Sequence, residues 1–319
     1  MRLNRRSFLK WSLGAAAASA PHLLARSDAP KTQSLDQAVE QSGCLVDSTL
    51  CIGCRKCEEA CNRKNKLLRP DVPFTDTTVF RSERRPSGKA LTVVNEYAGP
   101  PSPDQSGAKQ TYVKVQCLHC LTPSCVSACI VGAMTKAKDG SVVYNPKICL
   151  GCRYCLVACP FQIPAFEYEN ALTPRVRKCE FCADYAAGTG ADPACAASCP
   201  TEALVFGKRT ALLTLARDRL AKRPDRYVDH VYGEKEVGGT SWLYLTGRPA
   251  GEVGMLDLPQ SAPAHLTESI QHGIFRYGLI PLSLYGALGG LMWFNQRSAR
   301  TPALPSDSEP GEGQEDHRE

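Results

Sequence analysis

The chain has 319 residues, of which 43% are hydrophobic and 22% charged, as in an ordinary globular protein of one or two sizeable domains. Its formal net charge of +6 would suit a nucleic-acid binder, but the sequence carries no motif of that class. Seventeen cysteines are many more than a globular core requires, and they exclude simple hydrophobic packing as the whole basis of the fold.

The N-terminus resembles a twin-arginine export signal. Arg5 and Arg6 precede the residues Ser-Phe-Leu-Lys, and an uncharged Ala-rich stretch follows. An ordinary basic terminus is the alternative. We predict a signal segment over residues 1–25, with any cleavage between residues 20 and 29. Because this route exports folded proteins, metal centres can be inserted in the reducing cytoplasm before the protein reaches the periplasm.

Sixteen cysteines form four groups of four along the chain. The groups are Cys51, Cys54, Cys57 and Cys61; Cys117, Cys120, Cys125 and Cys129; Cys149, Cys152, Cys155 and Cys159; and Cys179, Cys182, Cys195 and Cys199. The first and third groups, CIGCRKCEEAC and CLGCRYCLVAC, share seven of eleven positions and look like copies of one unit. Their common glycines, Gly53 and Gly151, would let each loop wrap closely and direct backbone N–H groups at sulfur. Cys44 is left over, and we predict a free buried thiol.

Three chemistries compete for these groups. Disulfides are the usual state of cysteine in exported proteins, but they place no demand on C-x-x-C-x-x-C spacing. Zinc commonly takes two C-x-x-C pairs. In two-cluster ferredoxins, by contrast, such a run supplies three ligands to one [4Fe–4S] cluster, and its last cysteine ligates the other cluster. The spacing therefore predicts four [4Fe–4S] clusters as the cofactors.

The shared-cysteine rule and the order of the groups predict four ligand sets, in which groups one and four exchange their last cysteines and groups two and three do the same. Set A is Cys51, Cys54, Cys57 and Cys199; set B is Cys61, Cys179, Cys182 and Cys195; set C is Cys117, Cys120, Cys125 and Cys159; and set D is Cys129, Cys149, Cys152 and Cys155. In the alternative arrangement, each group of four closes its own cluster.

These sets imply an α+β fold of two pseudo-symmetric bacterial-ferredoxin-like modules with loop insertions, over residues 44–210. The stretch 62–107 reads as a surface insertion with one strand at LTVVNEY, and KAKDGSVVYNPKIC as a hairpin with Asp139-Gly140 at its turn. A strand at Ala203–Arg209 and an amphipathic helix at ALLTLARDRLAKR follow. Residues 211–272 are predicted as a C-terminal extension.

A second apolar segment runs without a charge from Tyr277 to Phe294 and is bounded by arginines at 276 and 297. Its length and flanking residues predict one transmembrane helix over residues 273–297, with a buried hairpin element as the alternative. The arginines after it would place the C-terminus in the cytoplasm and the clusters on the periplasmic face of the membrane. The acidic tail, 298–319, is predicted to be disordered.

The four-group pattern resembles the iron–sulfur subunits of molybdopterin oxidoreductases and membrane-bound hydrogenases. Within that superfamily, DSTLCIGCRKC, CLGCRYCLVACPFQIP, HVYGEKEVGGT with LTGRP, and SIQHGIFRYGLIPL are similar to the electron-transfer subunit of hydrogenase-2-type nickel–iron uptake hydrogenases, over about residues 44–297. The resemblance implies association with the hydrogenase small and large subunits and electron transfer to an integral membrane quinone-reducing subunit. A formate dehydrogenase is the alternative partner.

Electron transfer needs no acid, base or nucleophile, so we predict no catalytic residues. A catalytic iron–sulfur enzyme would carry a group with only three cysteines, and a stand-alone structural metal protein is the other alternative. His119, Arg55 and Arg153 lie within ligand loops and could tune potentials, although packing roles are favoured. For His272, before the apolar segment, interfacial anchoring is favoured over proximity to a partner's redox site.

Overall fold

The computed structural model describes residues 41–99, 110–170, 172–183 and 191–299. The predicted signal segment and the predicted tail beyond residue 299 lie outside these residues. The described part of the chain falls into two compact units, one ending at Thr267 and one beginning at Glu268.

The strands and helices are short, apart from two helices near the C-terminus. The strands are β1 (Ser42–Asp47), β2 (Thr92–Tyr97), β3 (Thr111–Gln116), β4 (Met134–Lys136), β5 (Val142–Tyr144), β6 (Ala165–Phe166), β7 (Val176–Arg177), β8 (Leu204–Lys208) and β9 (Trp242–Leu245). The α-helices are α1 (Lys56–Lys64), α2 (Ser124–Ser127), α3 (Tyr154–Val157), α4 (Ala194–Ala197), α5 (Arg209–Lys222) and α6 (Pro263–Ala299). Three 3₁₀ turns cover Thr77–Arg81, Glu236–Gly238 and Ala250–Val253.

The central sheet has the order β8-β1-β9, with β1 antiparallel to β8 and parallel to β9. Side chains alternate across a strand, so each strand contributes to two separate cores. Leu45 and Leu243 pack on α5 in one core. Cys44 and Trp242 lie in the other core, which also contains cysteines of the predicted ligand sets. Residues 211–272 therefore complete the sheet of the cysteine-rich module through β9.

The regular elements predicted between and after the cysteine groups are confirmed. LTVVNEY contains β2, Ala203–Arg209 contains β8, and the following helix is α5. KAKDGSVVYNPKIC contains the hairpin β4-β5, with Lys136 opposite Val142. Gly140 has φ of 93° at the turn, a conformation that glycine adopts without a Cβ clash.

The insertion after group one is attached to the module by a buried carboxylate. Glu58, on α1, accepts hydrogen bonds from the backbone N–H of Val94 at 2.7 Å and from Arg84 at 2.6 Å. It also forms an ion pair of 3.0 Å with Arg55. The Arg55 guanidinium in turn donates to the carbonyls of Pro73 at 2.9 Å and Asp76 at 2.8 Å. Arg55 therefore has the packing role that the sequence favoured.

The helix α6 includes the segment predicted to span a membrane. Large apolar side chains are exposed along its second half, including Leu282, Leu288 and Phe294. Among the residues that the structure describes, no helix is both long and apolar enough to cross a membrane. The transmembrane span predicted at 273–297 is therefore not confirmed, and the side chain of His272 lies outside the described part of the chain.

We expect Glu58→Ala to destabilise the module by about 3 to 5 kcal/mol, because it leaves the buried Arg55 guanidinium without its counter-charge. Anaerobic thermal unfolding, followed by circular dichroism, measures the effect. Glu59→Ala is the matched control, since Glu59 lies on the same helix and is exposed. Equal midpoints for the two variants would contradict the role assigned to Glu58.

Candidate metal centres

The first C-x-x-C turns of the four groups share one unusual backbone conformation. Their third residues have φ in the left-handed region: 69° at Gly53, 50° at His119, 71° at Gly151 and 61° at Phe181. This conformation is rare for bulky residues. The turn directs backbone N–H groups at sulfur: Gly151 donates to Cys149 Sγ at 3.4 Å, and Phe181 to Cys179 Sγ at 3.3 Å. The N–H···S contacts expected of these loops are therefore present.

The first and third groups also agree beyond the turn. Arg55 and Arg153 precede α1 and α3, respectively, with nearly the same backbone angles, φ 57° and ψ 10° against φ 63° and ψ 11°. Their side chains differ in environment, since Arg55 is buried whereas Arg153 is exposed beside the rings of Phe166 and Tyr168. The two loops thus share a backbone conformation but not a packing arrangement.

The four thiols of set A line one cavity. Its walls include Lys114 and Leu204 as well as Cys51, Cys54, Cys57 and Cys199. Burial raises the pKa of the Cys51 thiol to about 11; the N–H of Gly53 opposes that shift, whereas Cys199 and Cys54 add to it. A cysteine from group four therefore lies among three from group one.

The four thiols of set B line a second cavity. Lys114 and Trp242 form part of its wall, together with Cys61, Cys179, Cys182 and Cys195. Burial raises the pKa of Cys61 to about 12; Lys114 opposes the shift, whereas Cys195 and Cys182 add to it. Group one thus supplies one thiol to a cavity whose other thiols come from group four.

The thiols of set C are also close together. Burial raises the pKa of Cys120 well above its ordinary value, and the thiols of Cys117, Cys159 and Cys125 add to that shift. Three of these cysteines belong to group two and one to group three. Cys117, Cys120 and Cys159 also pack in one core, so a cysteine from group three lies near cysteines from group two, as the predicted exchange requires.

Set D contains the remaining four thiols. Burial raises the pKa of Cys155 to about 11, with further contributions from Cys129, Cys149 and Cys152. The N–H of Ala133 donates to Cys129 Sγ at 3.1 Å. Group two therefore supplies the fourth thiol beside three from group three.

The arrangement of these thiols distinguishes a site for a single metal ion from a site for a cluster. Within the described ranges, no group of three or more His, Cys, Asp or Glu side chains could hold a single metal ion. A cubane attaches each cysteine to a different iron, so its thiols surround a volume and do not meet at one point. Burial raises the pKa values of these cysteines, so they are protonated thiols before a cluster binds. A cluster binds the thiolate form, and each cysteine therefore releases a proton on binding.

Two buried donors also fit a sulfur-rich occupant. Trp242 is fully buried in the wall of the set B cavity, and its Nε1–H has no acceptor among the described residues. His119 Nδ1 accepts the N–H of Val142 at 2.8 Å, so the proton of the neutral ring is on Nε2, which also has no partner there. Burial, with help from nearby lysines, lowers the pKa of His119 well below its usual value. Cluster or cysteinyl sulfur is an acceptor that such donors commonly use.

The structure also places the other residues that the sequence singled out. Cys44 is fully buried, as predicted. His119 stacks on Phe181, with ring centroids 4.8 Å apart, and so joins the loops of groups two and four. Sequence reasoning missed Lys114 and Trp242, which lie on β3 and β9 outside every cysteine motif. A lysine between two valines in the strand TYVKVQ was the available signal for the first of them.

Comparison with known proteins points to the same kind of cofactor. The 4Fe-4S dicluster domain family matches residues 108–209, and the twin-arginine translocation signal family matches residues 2–21. A protein of Nitratidesulfovibrio vulgaris is 44% identical over 290 residues, which cover 89% of this chain and 76% of that protein. The hydrogenase-2 operon protein HybA of Escherichia coli is 32% identical, with coverage of 93% and 97%. The iron–sulfur subunit of the nitrate-inducible formate dehydrogenase of Escherichia coli is 34% identical, with coverage of 68% and 71%.

We expect Cys199→Ser and Cys57→Ser to perturb the same electron paramagnetic resonance signal, because their thiols line one cavity. Cys195→Ser and Cys61→Ser should perturb a different signal, since those thiols line the other cavity. The alternative, in which each sequence group closes its own cluster, predicts matching spectra for Cys199→Ser and Cys195→Ser. Such a match, with Cys57→Ser distinct, would exclude the exchange of cysteines between groups one and four.

Proposed function

The chain belongs to the family of 4Fe-4S iron–sulfur subunits that includes HybA of hydrogenase-2, and from this we propose an electron-relay function. In this proposal it receives electrons from the small subunit of a periplasmic nickel–iron hydrogenase. It passes them to an integral membrane subunit that reduces quinone. The chain supplies redox centres and no catalytic group.

The extent of sequence similarity favours a hydrogenase over a formate dehydrogenase as the partner enzyme. HybA matches 93% of this chain and 97% of its own length, whereas the formate dehydrogenase subunit matches 68% and 71%. The HybA match thus includes more of the sequence outside the dicluster domain at residues 108–209. The iron–sulfur subunit of a membrane-bound formate dehydrogenase remains the second candidate, because its identity over the matched residues is as high.

We propose that sets A to D each hold one [4Fe–4S] cluster. Such a cluster supplies one-electron transfer at a potential set by its net charge, its hydrogen bonds and its exposure to solvent. The chain's part is to hold four thiolates, to direct N–H donors at sulfur and to exclude water. The shared cavities, the N–H···S contacts and the buried donors of Trp242 and His119 support this assignment.

The thiols also suggest a linear relay in the order A, B, C, D. Burial raises the pKa of Cys57, and Cys195 of set B contributes to that shift. Cys179 of set B is similarly affected by burial and then by neighbours that include Cys117 of set C. Burial raises the pKa of Cys125 in set C to about 12, with Cys155 of set D among the contributors. Packing supports this order, since cysteines of sets A, B and C share one core and cysteines of sets C and D share another.

The two ends of this relay are open to solvent. Cys54 of set A and Cys152 of set D are the exposed thiols among the sixteen. Around set D, the exposed apolar side chains of Leu150, Tyr154 and Val157 have exposed fractions of 69%, 59% and 87%. An apolar surface beside a redox centre fits a partner subunit that brings its own centre close. We propose this surface as one of the two subunit contacts.

We also propose that the mature chain acts at the periplasmic face of the cytoplasmic membrane. The twin-arginine signal over residues 2–21 supports export. Exposed apolar residues along α6, including Leu284, Leu291 and Met292, support contact between residues 273–297 and the membrane or a membrane partner. Trp293 beside Arg297, with 4.6 Å from the guanidinium carbon to the ring centroid, is a pair typical of a membrane–water boundary.

Hydrogen should reduce the clusters in membranes that contain the assembled complex, and formate should not. Anaerobic visible and electron paramagnetic resonance spectroscopy measures the reduction. Cys152→Ser should slow quinone reduction because set D would lose a ligand, whereas Cys44→Ser, the same change outside all four sets, should not. Reduction by formate alone would instead favour the second candidate.

Replacing Arg5 and Arg6 by lysine should leave the protein, with its clusters, in the cytoplasm, because the export machinery recognises the arginine pair. Cell fractionation followed by immunoblotting measures the distribution. Arg2→Lys is the control, since Arg2 lies outside the pair. Normal export of the double variant would contradict the proposed route.

A further inference from the structure

Lys114 is a cation buried between two sets of thiols. Its exposed fraction is 3%, and it lines both the set A cavity and the set B cavity. It lies on β3, between strand residues whose side chains belong to the apolar core. A buried lysine is rare unless an anionic group compensates its charge.

The hydrogen-bond and aromatic partners of the Lys114 ammonium group among the described residues are neutral. Nζ donates to Thr92 Oγ1 at 2.8 Å and to Gln116 Oε1 at 2.9 Å, and it lies 4.5 Å from the centroid of the Trp242 ring. Thr92 Oγ1 donates its own proton to the carbonyl of Val115, so it acts as an acceptor for Nζ. Two acceptors and an aromatic face satisfy the three N–H groups of an ammonium ion.

A closed set of hydrogen bonds holds this arrangement in place. Gln116 Nε2 donates to the hydroxyl of Tyr244 at 2.6 Å, which directs Gln116 Oε1 towards Lys114. The Tyr244 hydroxyl donates to the carbonyl of Lys114 at 2.9 Å. The network joins β3 to β9 and keeps the ammonium group at one position between the two cavities.

The compensating charge comes from sulfur. Burial alone would lower the pKa of Lys114, but Cys195, Cys57 and Cys179 more than offset that effect, and the pKa is raised. These thiols belong to sets A and B. The ammonium group therefore interacts with both sets at once, in surroundings where water screens charge weakly.

We propose that Lys114 is the residue that sets the reduction potentials of the clusters in sets A and B, by holding one fixed positive charge between them. The inference rests on the proposed assignment of clusters to these sets. Reduction adds negative charge to a cluster, so a nearby buried cation favours the reduced form and raises the potential. One lysine thus raises the reduction potentials of both clusters, the one in set A and the one in set B.

Lys136 provides a matched comparison at another position. It is half-buried, and its Nζ donates to the carbonyls of Cys120 at 2.9 Å, His119 at 3.2 Å and Gly140 at 2.6 Å. Burial lowers its pKa to about 8, and the neighbouring thiols of Cys120 and Cys117 oppose that shift. Lys136 therefore lies beside set C and not between sets A and B.

The test is a redox titration of the full-length, cluster-loaded protein in its complex, monitored by electron paramagnetic resonance. Signals are assigned to sets with Cys57→Ser and Cys195→Ser. For Lys114→Met we expect the ratio of reduced to oxidised cluster at fixed potential to fall at least tenfold in sets A and B, a shift of about 59 mV for a one-electron couple. Sets C and D should shift less. Lys136→Met should act on set C and leave set A unchanged.

The results separate an electrostatic role from a structural one. Wild-type potentials in Lys114→Met, or an equal shift in all four sets, would overturn the inference. If Lys114→Met loses iron, Lys114→Arg decides: retained iron with near-wild-type potentials in sets A and B supports a requirement for charge, whereas loss of iron or lowered potentials overturns it. Iron and acid-labile sulfide in the wild-type protein test the cluster assignment separately, because fewer than four clusters there would refute the proposed function itself.

Discussion

The antiparallel pairing of β1 with β8 is the constraint on which the arrangement of thiols depends. Val46 lies opposite Leu204, so the end of β1 and the start of β8 meet at the same edge of the sheet. Cys51 follows β1 and Cys199 precedes β8 by only a few residues, so this register brings together cysteines that are far apart in sequence. Packing of α1 on α4 extends the same contact to Cys61 and Cys195. The proximity of cysteines from groups one and four is therefore a consequence of strand pairing.

Much of this arrangement could be predicted from sequence because ligand spacing and period-2 patterns are local signals. The β4-β5 hairpin, β8 and α5 have turn residues or apolar periodicity that identify them directly. The contribution of β9 could not be predicted, because Trp242 reaches the set B cavity through parallel pairing with β1 across some 200 residues. The left-handed backbone at His119 and Phe181 could not be predicted either, since positive φ is uncommon for any residue other than glycine.

Several of the basic residues that contribute to the positive net charge lie inside the module and not on its surface. Lys114, Lys136 and Lys178 are all held inside the module close to thiols, and the side-chain donors of the latter two are directed at backbone carbonyls. Burying a cation in a protein interior without a nearby anion costs on the order of several kcal/mol. The thiolates of bound clusters are such anions. Part of the basic excess therefore compensates negative charge within the fold and not at its surface.

The two copies of the C-x-x-C-x-x-C loop have diverged in a way that distinguishes the ends of the module. A side chain at Gly53 would come within 2.4 Å of the Tyr112 ring, whereas the nearest atom to the same position at Gly151 is 3.7 Å away, on Phe166. The first loop also packs on one side against the insertion that Glu58 and Arg55 hold in place. The third loop has no equivalent cover among the described residues, and its apolar side chains face solvent. Two loops with one backbone conformation thus differ in their cover: the first exposes Ile52 and Cys54 beside the insertion, whereas the third exposes Leu150, Tyr154 and Val157 and is the one suited to a large apolar contact with another subunit.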